Sequence, residues 1–144
     1  MKTLILGIGN TLRQDDGFGV HLAEALKKEN LPENVEILPL GTEDILSVAF
    51  EKFQKIVILD CIRLGGEKGT LYFIDDFTFS CDTPVSSHQM HPLSYLANQA
   101  KEQKVFLFGI EPYSTEWGQT LTPKAEKRIP DAIEFIKKEI RKCL

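Results

Sequence analysis

The feature that most constrains this chain is a set of short, almost continuously apolar runs. Lys55-Ile56-Val57-Ile58-Leu59-Asp60 is the clearest of them. A strand with one wet face alternates apolar and polar residues. A strand covered on both faces need not, and such strands belong to mostly parallel sheets packed between helices. Thr3-Leu4-Ile5-Leu6-Gly7-Ile8 and Val105-Phe106-Leu107-Phe108 have the same character. Helical patterns separate the runs. From Gly17 to Lys28, the apolar residues Phe18, Leu22, Ala25 and Leu26 fall on one helix face. Val35-Glu36-Ile37-Leu38 reads as a strand stopped by Pro39, and Thr42 as the cap of a helix running to about Phe53.

Thr70-Leu71-Tyr72-Phe73-Ile74 follows the Asp60 run too closely for a parallel crossover, which takes a dozen or more residues, so this strand is expected to be antiparallel. Phe77 to Ser87 reads as an irregular loop, and Pro92 opens a helix to about Gln103. Glu111 to Leu121 is a second loop. Thr122-Pro123 then starts a helix that Pro130 should kink or restart, held to the sheet by Ile129, Ile133, Ile136 and Ile140. This order predicts an α/β fold, a three-layer α/β/α sandwich whose five-stranded sheet is mostly parallel with one antiparallel strand.

The length of 144 residues suits one domain spanning 1–144. The net charge of −4 argues against a nucleic-acid partner, which calls for a basic footprint. Cys61, Cys81 and Cys143 form no C-x-x-C pair and are odd in number, which fits a reducing cytoplasm better than a disulfide scaffold. No run reaches the length of a membrane span, and Thr3–Ile8 is too short for a secretory core.

Ligands of such sheets bind beyond the carboxyl ends of the strands, so the polar residues there are the candidates. Gly7-Ile8-Gly9-Asn10 opens like a dinucleotide turn, but Leu12 stands where the third glycine belongs and Asp15 and Asp16 would repel a pyrophosphate. One carboxylate of the Asp15-Asp16 pair suffices to cap a helix, which leaves the other available as a ligand. Asp60 ends a central strand, where a carboxylate either bonds locally or faces the cleft. His88 and His91 precede a helix without the H-x-x-x-H spacing of a helical metal site, and His21 reads as a surface residue. Asp16, Asp60 and His88 follow three different strands. Two carboxylates and an imidazole have the composition of an open divalent-metal site. The rival is Cys61 as a nucleophile with His88 as base. Alternation along the strand turns Cys61 away from Asp60, and a neighbouring carboxylate disfavours a thiolate, so a buried packing thiol is the expected role. The absence of G-x-S-x-G leaves a serine-hydrolase elbow without support.

From Lys2 to about Ile136 the chain resembles the hydrogenase maturation endopeptidases, which process NiFe-hydrogenase large subunits. Gly7-Ile8-Gly9-Asn10-Thr11-Leu12-Arg13-Gln14-Asp15-Asp16-Gly17-Phe18-Gly19 is similar to the family's opening signature. Ile58-Leu59-Asp60, Ser87-His88, Gly109-Ile110-Glu111-Pro112 and Leu121-Thr122-Pro123 resemble further family segments. The stretch from Met90 to Leu96 is similar to the branch serving formate-linked hydrogenases. Pro39-Leu40-Gly41-Thr42-Glu43-Asp44 keeps only Gly41-Thr42 of the family's glycine-rich turn, a departure that touches partner selectivity.

The resemblance implies that Asp16, Asp60 and His88 bind nickel. It implies a cytoplasmic endopeptidase, metal-assisted or aspartyl-type, that removes a short C-terminal extension from the large-subunit precursor after nickel insertion. The nickel would arrive with that substrate rather than reside in the enzyme. The enzyme is expected to be a monomer without nucleic-acid or membrane partners. A non-catalytic nickel-binding maturation chaperone using the same ligands is the alternative. No role is assigned to His91 or Glu111.

Overall fold

A computed structural model describes residues 1–43, 47–75 and 103–142. Five strands form one sheet: β1 (Thr3–Ile8), β2 (Val35–Gly41), β3 (Lys55–Cys61), β4 (Leu71–Ile74) and β5 (Lys104–Ile110), in the order β2-β1-β3-β5-β4. All neighbours are parallel except β4, which runs antiparallel to β5. The expected α/β architecture and the expected antiparallel strand are both present. The three central strands β1, β3 and β5 are the continuously apolar ones, as burial on both faces requires.

Side-chain alternation divides the core. Ile5, Val57, Leu59, Phe106 and Phe108 face α1 (Phe18–Leu26) together with α2 (Pro123–Glu126) and α3 (Ile129–Lys142). Ile129, Ile136 and Ile140 are buried in that layer, and Ile133 is partly buried against it, as the stripe predicts. Pro130 occupies the first turn of α3, where its missing N–H costs no helical bond. Leu4, Leu6, Ile56, Ile58, Val105 and Leu107 face the opposite layer, against Phe50 and Phe53. The expected helix from Pro92 lies outside the described residues, so the second helical layer of the sandwich is not described.

Two expectations about elements are corrected. Pro39 does not stop β2, which continues to Gly41. That strand is the sheet edge, where a residue without an N–H is tolerated, and the register shifts just there, with Gly7 opposite Pro39 and Ile8 opposite Gly41. The helix expected from Thr42 to Phe53 has no α-helical turn in its described part, where Ser47 and Phe50–Lys52 are 3-10. Three residues per turn place Phe50 and Phe53 on one side, where both are buried, and Phe53 is already extended as it feeds β3.

Helix α1 lies unusually close to the sheet. A Cβ on Gly19 would stand 2.0 Å from the Leu59 carbonyl oxygen and 2.8 Å from that of Ile8. Gly7 faces it, and a Cβ there would meet the Gly19 carbonyl oxygen at 2.5 Å. Two glycines at one crossing thus let the first turn of the helix rest on the backbone of β1 and β3. Gly19→Ala forces that helix away from backbone that cannot yield. We expect it to lower unfolding free energy by about 3 kcal/mol, read from urea titration. A change below ~1 kcal/mol would show that the crossing relaxes.

Candidate active site at the strand ends

From β1 the chain goes to β2 on one side, whereas β3 lies on the other. The strand order therefore reverses between β1 and β3, and the crevice beyond their carboxyl ends is the site this topology offers a ligand. Asp16 and Asp60 meet there. Asp60 is the penultimate residue of β3 and fully buried; Asp16 is equally buried in the 3-10 turn Gln14–Gly17 that leads into α1. Gly9 lies between them. Its φ of +124° is one that L side chains rarely adopt, and a Cβ there would stand 2.1 Å from the Asp16 carbonyl oxygen and 3.5 Å from Asp60 Oδ1.

The carboxylates are anchored by short local bonds. Asp16 Oδ2 accepts from the Asn10 N–H at 2.8 Å, and Asp60 Oδ1 from the Cys61 N–H at 2.7 Å. Burial pushes the Asp60 carboxyl well above the usual carboxylate range; the Cys61 N–H opposes this, and the nearby Asp16 adds to it. The Cys61 thiol is pushed far above its ordinary value, first by burial and then by Asp60 and Asp16, with Arg63 opposing. Cys61 also carries the parity of Val57 and Leu59, opposite to Asp60. These surroundings oppose thiolate formation and support the packing role expected for Cys61.

The capping reading of the acidic pair is overturned. Neither carboxylate caps α1, whose N-cap makes no side-chain hydrogen bond. Asp15 instead reaches across to the loop after β5. Its oxygens accept from the N–H groups of Tyr113, Ser114 and Thr122 and from the Thr122 hydroxyl, at 2.9 to 3.3 Å. Thr122 in turn caps α2 by accepting from the Ala125 N–H. Gln14, just before the two acids, takes a φ of +45°, and its N–H donates to the Gly118 carbonyl oxygen. Asp15 thereby binds a loop while Asp16 borders the crevice.

Glu111, left without a role by the sequence, is a second such organiser. Its Oε1 accepts from the N–H groups of Leu64 and Gly66 and from the Tyr72 hydroxyl, at 2.8 to 3.0 Å. Burial and then this bond to Glu111 push the Tyr72 phenol up. The available signal was position: Glu111 follows β5 much as Asp60 ends β3. His21, expected on the surface, is half-buried in α1. His88 and His91, and with them the third candidate ligand, lie outside the described residues, as does the stretch from Met90 to Leu96. Among the described residues no three of His, Cys, Asp and Glu form a metal-sized group.

Comparison with known proteins points one way. The family model HycI, hydrogenase maturation protease, matches residues 20–139. The hydrogenase 2 maturation protease of Escherichia coli is 31% identical, covering 98% of this chain and 92% of that protein. The coenzyme F420 hydrogenase subunit delta of Methanothermobacter thermautotrophicus is 33% identical over 96% of this chain and 94% of its own. Among solved structures, the hydrogenase maturating endopeptidase HybD of E. coli superposes with a TM-score of 0.82 at 31% identity, covering 99% of this chain and 94% of that one. The maturation protease HycI of Thermococcus kodakarensis does so at 0.79 and 29%, covering 97% and 92%.

Two outcomes follow for stability. Removing Asp15 strips several partly buried donors of a charged acceptor, so Asp15→Ala should cost at least about 3 kcal/mol in a denaturant titration, well beyond a lost cap. Asp60 acts in the opposite sense. The folded protein holds its proton at pH values where the unfolded chain has released it, so its stabilising contribution is complete below the ordinary carboxylate range and is lost as pH rises through the raised folded value. Asp60→Asn should therefore raise the melting temperature of the metal-free protein at about pH 7 and flatten its decline with pH. A lower melting temperature in the Asn variant would refute this account of Asp60.

Proposed function

Because the chain belongs to the hydrogenase maturation protease family, and is a peptidase on that ground, we propose that it removes the C-terminal extension of a nickel-loaded NiFe-hydrogenase large-subunit precursor. Asp16, Asp60 and His88 hold the nickel that this substrate carries. The observation supporting the reading is the meeting of two buried carboxylates at the switch point of the sheet, one of them shifted by burial and by the charge of the other. Ionising both side by side is costly, and a divalent cation offsets that cost. Oxygen and imidazole donors suit a metal of borderline softness.

In this reading the chain contributes position and charge. Gly9 and the 3-10 turn hold Asp16 against the crevice, and β3 delivers Asp60 from a strand that cannot shift without disturbing the core. Asp16, Asp60 and His88 would hold a divalent ion there, and such an ion would supply Lewis-acid charge or an anchor for the substrate. The remaining parts of the proposal are a cytoplasmic, monomeric enzyme made of one domain over residues 1–144. No helix among the described residues is long and apolar enough to cross a membrane.

Mass spectrometry of the precursor, with and without nickel, tests the reading. The protein should shorten only the nickel-loaded form. Asp16→Ala, Asp60→Ala and His88→Ala should each abolish shortening in a folded protein, whereas Cys61→Ser should retain most of it. Treating the enzyme alone with chelator should leave its activity on loaded precursor intact. Nickel binding without any shortening would make the chain a maturation chaperone, and a covalent adduct trapped on Cys61 would make it a thiol protease.

A further inference from the structure

The crevice is flanked by a surface that neither the carboxylate pair nor the core explains. Met1, Leu12, Leu64 and Trp117 are the large apolar side chains left exposed among the described residues. Setting aside Met1 at the chain start, the other three lie on the loops after β1, β3 and β5, on the same edge of the sheet as Asp16 and Asp60. Two arginines tie these loops together. Arg13 Nε donates to the Thr115 carbonyl oxygen at 3.1 Å, and Arg63 donates to the Thr115 hydroxyl. The Arg13 guanidinium also stacks over the Trp117 ring, 5.0 Å from its centre.

The loops are joined by backbone as well. Gly118 N–H donates to the Leu12 carbonyl oxygen at 2.9 Å, and Arg13 bridges to Gly118. The two buried acids described above fix the rest: Asp15 holds the loop that carries Trp117, and Glu111 holds the N–H of Leu64. The surface is thus built rather than loose. Neither guanidinium has a carboxylate partner among the described residues, although Glu116 is exposed on the same loop and the chain as a whole carries a net charge of −4.

We infer that Leu12, Arg13, Arg63, Leu64 and Trp117 form the surface on which the body of the precursor protein docks, and that it takes a partner face carrying carboxylates beside apolar side chains. The inference rests on the proposed proteolytic reading for the identity of the occupant. Charge complementarity sets the chemistry of that face: two guanidiniums with no carboxylate partner among the described residues, beside exposed apolar side chains, call for acidic groups next to apolar ones. Tryptophan and arginine are also among the residue types that carry most of the binding energy at protein interfaces. Continuity with the crevice explains how a bond in a chain tail reaches Asp16 and Asp60: docking of the folded body raises the local concentration of its tail.

The test separates binding from chemistry. Affinity for the full-length precursor is measured on an immobilised-precursor surface, and processing is followed by steady-state kinetics, for wild type, Trp117→Ala, Arg13→Glu and Arg63→Glu. Trp117 is 74% exposed, so its truncation leaves the fold intact and carries the test should a charge reversal unfold the protein. Each folded variant should raise Kd and KM by roughly tenfold while kcat stays within about twofold. The charge reversals should also flatten the salt dependence of association. Asp60→Ala should process nothing, and it should bind nickel-free precursor as wild type does. Unchanged Kd in the folded variants, a loss confined to kcat, or no binding by wild type would overturn the docking surface. Wild-type binding without processing would overturn the proteolytic reading and leave the docking surface standing.

Discussion

Everything at the working edge of this protein depends on how closely the first turn of α1 approaches the backbone of β1 and β3. Gly19 sits on the Leu59 carbonyl, and Gly7 leaves room for it from below. No side chain larger than hydrogen fits at that crossing, so the helix is located by backbone contact rather than by adjustable side-chain packing. The 3-10 turn before the helix inherits that location. Asp16 is thereby set beside the end of β3, where Asp60 stands, without any direct sequence relation between the two.

Four acids are buried at this edge among the described residues. Asp15 and Glu111 each collect several donors from one loop, and buried carboxylates so satisfied are structural elements comparable to a cap or a turn. Asp16 and Asp60 stand in the crevice close enough for the charge of one to shift the other. Ionising both carboxyls in so dry a place costs stability, which is why the folded protein retains the Asp60 proton. Their juxtaposition is the physical ground on which the proposed reading of the crevice rests.

The sequence carried the fold further than it carried the site. Continuous apolar runs revealed β1, β3 and β5, because burial on both faces leaves no room for alternation. The short connection after Asp60 revealed that β4 is antiparallel, because chain length alone forbids the parallel alternative. Pro39 misled because its meaning depends on whether its strand lies at an edge, a property of the whole sheet. The Thr42–Phe53 segment misled because Phe50 and Phe53 suit a helix and a 3-10 turn equally well. Asp60 was legible from its place at a strand end. Which member of the Asp15-Asp16 pair faces the crevice was not legible from the residues themselves. It is decided by Gln14 at φ +45° and by donors on Tyr113, Ser114 and Thr122, roughly a hundred residues away. Glu111 was hidden for the same reason, since its partners Leu64, Gly66 and Tyr72 are neighbours only in the fold.

These observations also bear on why the loops around the crevice are so firmly built. A peptidase acting on one bond of a large folded protein gains little from recognising the bond alone, since an extended tail offers few contacts. Discrimination has to come from surfaces away from the reacting atoms, and those surfaces select only if they keep their shape before the partner arrives. Asp15 and Glu111 provide that rigidity here. Each ties a loop to the sheet edge, one loop carrying Trp117 and the other Leu64. On the proposed reading the buried acids serve one end by two routes: Asp15 and Glu111 shape the approach to the crevice, and Asp16 and Asp60 supply its metal ligands.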